Sequence, residues 1–158
     1  MSTKGNLEEL TLEQAEASLL RSKQEYSQAL QESYSLSETD STARTHEQFE
    51  QILPEGISTS GHLFFGWKVD GQVLGTAWLR LPKKTSEGSS VFIYDLWVTP
   101  SERGKGLGKE ILEALKANLR AKGLSKMGLH VFSKNERAIR LYQKLGFQVK
   151  SLNMEWEW

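Results

Sequence analysis

The chain has 158 residues, and its 20 Lys and Arg balance 20 Asp and Glu. Bulk attraction to nucleic acid or to an anionic membrane is therefore not expected, and any basic feature must be local. There is no cysteine, which excludes disulfides, thiolate metal sites and a cysteine nucleophile together and fits a reducing compartment.

This length suits one domain, residues 1–158, with a single substantial core. Met1 to Asn6 lack the apolar core of a signal peptide, and no apolar run nears the ~20 residues of a membrane span, so a cytoplasmic location is expected. Leu7 to Thr11 reads as a short strand. Thr11-Leu-Glu-Gln14 has the form of a capping box, after which Leu12, Ala15, Leu19, Tyr26, Leu30 and Tyr34 recur at the spacing of a long amphipathic helix. Ser35 to Thr42 reads as a polar link and about Ala43 to Leu53 as a second helix, stopped by Pro54-Glu55-Gly56. His46-Glu47-x-x-Glu50 places three possible metal ligands on neighbouring turns there. With no cysteine and no other nearby histidine, a solvated helix face is the better reading, and no metal is expected. His62 to Val69 and Gln72 to Leu81 are strands joined by Asp70-Gly71, a pair that specifies a tight hairpin. Pro82 to Ser90 is a polar loop.

Val91 to Val98 is a run of β-branched and aromatic residues suited to a strand buried on both faces, with Asp95 its one charge. Thr99, Pro100 and Ser101 end it. From Leu107 the apolar positions Leu107, Ile111, Leu112, Leu115 and Leu119 trace one helical face. Between strand and helix, Gly104, Gly106 and Gly108 let the backbone turn with its N–H groups pointing one way. The helix start adds roughly half a positive charge at the same place, and Arg103, Lys105 and Lys109 add side-chain charge. This is a phosphate-binding arrangement. A Walker loop is excluded because no Ser or Thr follows either Gly-Lys pair, and the dinucleotide fingerprint fails because Ile111 stands where its third glycine belongs. Lys122-Gly123 signals a helix end, Lys126 to Phe132 a strand, and Ser133-x-x-Glu136 a capping box that opens a helix running to Lys144-Leu145-Gly146. Phe147 to Val149 begins another strand. Leu152, Met154, Trp156 and Trp158 alternate with polar residues at the period of a strand with one buried face.

Arg103-x-x-Gly106-x-Gly108, after a buried strand and at a helix start, resembles the acetyl-CoA pyrophosphate loop of the GNAT superfamily of N-acetyltransferases. Leu129-His130-Val131-Phe132, then Asn135, Ala138, Leu141-Tyr142 and Leu145-Gly146-Phe147, is similar to that family's second motif. The two motifs stand in the family's order and spacing and cover about Val91 to Val149; upstream the resemblance is one of layout. It implies an α+β fold whose mostly antiparallel central sheet has about six to seven strands and carries helices on both faces. The strands ending at Val98 and Phe132 would splay apart to admit the pantetheine arm of the cofactor.

The resemblance also implies site residues. Acetyl-CoA would be held by the main chain at Leu96 and Val98, by Arg103, Gly104, Lys105, Gly106, Leu107, Gly108 and Lys109, and by Asn135. The Val98 N–H would hold the thioester carbonyl, and Tyr142 occupies the place of the family's general acid. A free amine arrives largely protonated, since amines titrate between ~8 and ~10.4, so a base is needed; Asp95 is the first candidate, acting directly or through a water. Where relatives often carry a second acid, this chain has Trp97. The acceptor side is expected between the first two helices and the hairpin, with Tyr26, Tyr34, Trp78 and Trp97 as candidate lining residues. The leading function is transfer of an acetyl group from acetyl-CoA to a small amine by direct attack in a ternary complex. The rivals are a protein N-terminal or lysine acetyltransferase and a non-catalytic acyl-CoA-sensing domain. A serine hydrolase is disfavoured by the absence of a Gly-x-Ser-x-Gly elbow, and Trp156 and Trp158 suggest a homodimer edge.

Overall fold

The computed structural model describes residues 4–84 and 89–158. The middle of the expected Pro82 to Ser90 loop and the first three residues lie outside them. Strand β1 (Asn6–Glu9) leads into helix α1 (Leu12–Tyr34), where Thr11 and Gln14 form the expected capping box. Helix α2 (Glu38–Ile52) starts earlier than its pattern suggested, capped by Ser37, whose hydroxyl accepts the Asp40 N–H at 3.0 Å. Its first turns face α1 through hydroxyls rather than hydrocarbon. Ser41 and Thr45 are buried there, and Ser41 Oγ lies 3.0 Å from Ser27 Oγ, so the apolar period that marks a helix is missing.

Strands β2 (His62–Val69) and β3 (Gln72–Arg80) form the expected hairpin. Asp70 and Gly71 both take positive φ, 49° and 78°, as a type I′ turn requires. Strand β4 (Val91–Val98) pairs antiparallel with β3, and helix α3 (Leu107–Ala121) carries the chain over to β5 (Met127–Leu129), which pairs parallel with β4. The sheet order is β1-β2-β3-β4-β5. Helix α4 (Glu136–Leu145) follows. Phe64 and Trp78 point from the sheet to α1 and α2, while Phe65, Ala77, Leu79, Val91 and Ile93 point the other way, onto α3. Helices thus cover both faces because neighbouring strand residues alternate.

Two features of β4 shape the cleft. Its register against β3 slips between Trp78–Asp95 and Leu79–Ile93, leaving Tyr94 as an extra residue. Such a bulge bends the strand and breaks the alternation. Tyr94 and its neighbour Asp95 consequently both serve the α1 face, Tyr94 in that core and Asp95 bonded to Arg21. The β4–β5 ladder stops at the same place, after Ile93–Leu129.

The sheet has five strands, fewer than the resemblance suggested. The Lys126 to Phe132 strand is cut to Met127–Leu129 because β4 leaves it, and 147–158 forms no strand. Alternation gives a segment the period of a strand, but only a partner edge makes it one. The helix expected to be capped by Ser133 is capped instead by Asn135, whose Oδ1 accepts the Ala138 N–H at 3.3 Å.

Leu115 is fully buried beneath α3, whereas Leu20 on α1 is exposed. Urea unfolding of Leu115→Ala should show a loss of about 2–5 kcal/mol. Leu20→Ala should stay within about 0.5 kcal/mol. Equal effects would mean that α3 is not packed on the sheet as described.

Candidate active site

The loop after β4 is built to present main-chain donors. Gly104 and Gly106 take φ of 76° and 86°, a region costly to any residue with a Cβ. Gly106 is also the N-cap of α3 and makes no side-chain capping bond, so the first-turn N–H groups keep their capacity for an anion. Gly108 meets a different demand: a Cβ there would lie 3.0 Å from Leu141 Cδ2 and 4.0 Å from Val98 Cγ2. Its absence lets α3 approach α4 and the end of β4. Arg103 is exposed, and its Nε donates to the Val98 carbonyl at 2.9 Å, tying the loop to the strand it leaves. Lys105 sits 3.5 Å from Glu102, while Lys109 is exposed on the first turn and Leu107 is buried. Arg137 of α4 joins the same place; its Nη2 would lie 3.6 Å from a Cβ at Gly104. No motif marked Arg137 in advance.

Beside this loop, β4 from Tyr94 to Val98 has no partner on its β5 side among the described residues. Leu96 and Val98 turn their side chains into the α3 core, so what the strand offers the gap is main chain. Asn135 caps α4 on the far wall. Tyr142, on α4, packs 5.5 Å from Phe147. Burial, and secondarily the charge of Asp95, push its hydroxyl up to about 12, so it keeps its proton at any working pH.

The other wall is organised by Arg21 of α1. Its Nη1 and Nη2 lie 3.2 and 3.3 Å from Asp95 Oδ2, and Nη2 donates to Thr76 Oγ1 at 2.7 Å. The guanidinium lies 4.3 Å from the centre of the Trp97 ring, and Glu25, one turn on, is 3.7 Å from Nη1. Burial raises the Asp95 carboxyl above its ordinary range, with Arg21 and Ser22 pulling it back. Glu25 is raised as well, by burial first and by Asp95, against Arg21 and Arg103. Its side chain is nevertheless half exposed, against 14% for Asp95. Arg21 and Glu25 were missed because an i, i+4 Arg–Glu pair is commonplace on solvated helix faces.

The expected lining residues divide. Trp97 stays at the cleft under Arg21. Tyr26 and Tyr34 meet over Phe132, with ring centres 6.0 and 6.4 Å away, which adds Phe132 to this wall; Lys134 Nζ donates to the Glu32 carbonyl and ties the same segment to α1. Trp78 is the correction. It is 2% exposed, donates to His62 Nδ1 at 3.0 Å and stacks between Phe64 and Tyr94, so it belongs to the core. The space expected between the first two helices and the hairpin is closed at this point, because Phe49 of α2 packs against Trp78 with ring centres 5.7 Å apart. His46 and Glu50 form a 3.1 Å pair on the exposed face of α2, and no cluster of three metal-ligating side chains occurs among the described residues.

The description of the Acetyltransferase (GNAT) family matches residues 23–147. The uncharacterized N-acetyltransferase YdgE of Bacillus subtilis (strain 168) is 31% identical over 149 residues, 94% of each chain. The crystal structure of the acetyltransferase YycN from Bacillus subtilis superposes with a TM-score of 0.90 at 26% identity, covering 98% of this chain and 99% of that one. The aminoglycoside N-acetyltransferase AAC(6')-Iy in complex with CoA shares the fold at a TM-score of 0.58 and 15% identity, covering 99% and 96%. With the uncapped helix start, the parted strands and Tyr142 arranged around one cleft, and with the family's description matching across that region, the chain belongs to the GNAT family of acetyltransferases.

Proposed function

We propose that residues 1–158 act as one cytoplasmic domain that acetylates a small cationic amine in a ternary complex with acetyl-CoA. The observation that carries this reading is the coincidence of two features: β4 loses its β5 partner at the point where the uncapped start of α3 stands beside it. A pyrophosphate fits the N–H groups from Gly104 to Gly108, with Arg103, Lys105, Lys109 and Arg137 nearby. An amide-bearing arm fits the unpaired main chain of β4 at Leu96 and Val98, with Asn135 on the opposite wall. Acetyl-CoA, when bound, supplies the activated thioester carbonyl.

The chain's own residues do the rest. The Val98 N–H polarises that carbonyl, and such a donor is most effective in a dry cleft. Tyr142, which remains protonated, donates to the departing sulfur. Asp95, raised toward neutrality by burial, takes the amine proton directly or through a water. Arg21 is shared between two carboxyl groups, those of Asp95 and Glu25. Glu25 is the more exposed carboxylate and draws the ammonium in, while Trp97, Tyr26 and Phe132 enclose its carbon skeleton. A single half-exposed carboxylate at this margin supports a small cationic amine as the acceptor.

Thermal unfolding with acetyl-CoA beside ATP and NAD tests the cofactor assignment. At a hundred times its dissociation constant acetyl-CoA should add ~2.7 kcal/mol to stability, and Gly106→Val should abolish the shift. An equal shift with ATP would overturn the assignment. An amine panel read by thiol release, free of protein background in a cysteine-free chain, then separates small amines from peptides, and no release with any amine would leave a sensor.

Tyr142→Phe should lower kcat by ~10²–10⁴-fold while the acetyl-CoA shift stays. The base must be deprotonated to work, so kcat should rise with pH through a carboxylate pKa above the usual ~4. With Tyr142 at about 12, the rate should show no fall up to about pH 10. A falling limb near neutrality would exclude Tyr142 as the acid.

Asp95→Asn and Glu25→Gln should separate in steady-state kinetics. The first should lower kcat, and the second should raise KM for a cationic amine with kcat nearly kept. Loss of kcat in Glu25→Gln alone would move the base to Glu25.

A further inference from the structure

Arg21 grips one patch of the sheet from above. Thr76 of β3 and Trp97 of β4 are direct cross-strand partners, and Asp95 stands two residues before Trp97, on the same face. The guanidinium meets all three. Nη2 donates to Thr76 Oγ1 at 2.7 Å, Cζ lies 4.3 Å from the centre of the Trp97 ring, and Nη1 and Nη2 lie 3.2 and 3.3 Å from Asp95. Both nitrogens take the same carboxylate oxygen, Oδ2. The usual fork gives one N–H to each oxygen and engages both. The end-on grip seen here engages one.

A carboxyl base depends on that difference. The outer torsion of an Asp side chain is broad, so a carboxylate held by nothing turns easily. At Asp95 the strand itself steadies little, because β4 has no β5 partner there among the described residues. Proton abstraction nevertheless demands an oxygen within ~2.6–3.2 Å of its target, directly or through one water, and catalytic groups must be held to ~0.5 Å. The side chains of Arg21 and Asp95 are 19% and 14% exposed, so water competes little for the bonds between them.

We infer, on the reading of Asp95 as the base, that Arg21 is a positioning residue for acetyl transfer: it takes Oδ2 of Asp95 with both nitrogens while resting on Thr76 and Trp97, and so turns Oδ1 toward the amine. Oδ1 then takes the proton that the ammonium gives up. The charge of Arg21 acts beside its shape. Burial raises the Asp95 carboxyl, and Arg21 is the largest influence against it, followed by the Ser22 hydroxyl. Glu25 on α1 and the Tyr142 hydroxyl on α4 are the other titratable groups that act on this cluster, and Tyr142 stays neutral up to about 12.

The first measurement needs no acceptor. In a full-length chain with 13C-labelled aspartate carboxyls, the Asp95 resonance is identified by its loss in Asp95→Asn. It should titrate at higher pH in Arg21→Gln than in the wild type, because the cation that favours the carboxylate is gone. Arg21→Lys keeps the charge and should leave the titration nearly in place. Kinetics with acetyl-CoA and the panel amine of highest kcat/KM then read the fork. Arg21→Lys should lower the plateau of kcat by up to ~10²-fold, with KM for the amine and the acetyl-CoA thermal shift nearly kept. Arg21→Gln should lower the plateau as well and move the rising limb of kcat to higher pH. A full plateau in Arg21→Lys, an equal loss at every pH in Arg21→Gln with the limb in place, or an Asp95 titration indifferent to Arg21 would each overturn the positioning role. Asp95→Asn tells the two levels apart: wild-type kcat in that variant removes the base assignment itself, and the role of Arg21 with it. If the Arg21 variants lose the acetyl-CoA shift, the fold has gone and Thr76→Val carries the test, since it removes one acceptor of the fork from a side chain of the same shape. Its plateau should fall several-fold with the limb in place, and wild-type kinetics there would also overturn the role.

Discussion

The structure depends on where β4 and β5 stop being neighbours. A parallel pair that continued past Ile93 would satisfy the main chain of both strands and leave no cleft. Instead the ladder ends there, and β4 keeps only its bonds to β3 through Val98. Buried main-chain donors and acceptors are seldom left without partners, so a strand with one side open inside a fold is a strand waiting for water or a ligand. Several interactions hold the gap. The bulge at Tyr94 turns β4, the Arg21–Asp95 pair and the Arg21–Trp97 stack hold it to α1, and Arg103 ties its end to the glycine loop. The proposed phosphate and thioester sites both follow from one break in one ladder.

The ion pair at the acceptor wall has a similar economy. A buried pair gains little net stability, because desolvation offsets most of the attraction, but removing one partner leaves the other charge uncompensated. Its value here is position. The planar guanidinium of Arg21 bonds Asp95 and Thr76 while lying over Trp97, and a lysine has neither the fork nor the flat face for those tasks. Glu25 sits at the margin of the same group, half exposed, which is where a charge still acts on a ligand approaching from water. In the proposed reading, buried and exposed carboxylates one Arg apart divide holding from attracting.

Much of this was legible locally. The capping box at Thr11, the hairpin at Asp70-Gly71, the loop from Gly104 to Gly108 and the Lys122-Gly123 end of α3 all depend on residues a few positions apart, where steric and hydrogen-bonding preferences act without reference to the rest of the fold. The family resemblance drew on those same residues. What only the tertiary structure decided lies across the chain. Arg21 meets Asp95 over a separation of 74 residues, Arg137 overlooks a loop on another element, and Trp78 became core because α2 covers it. The start of α2 was hidden since buried hydroxyls, not apolar residues, face α1 there. The terminal alternation has the period of a strand, yet 147–158 forms none, because a strand needs an edge to pair with, and pairing is a property of the assembled sheet that no single segment carries.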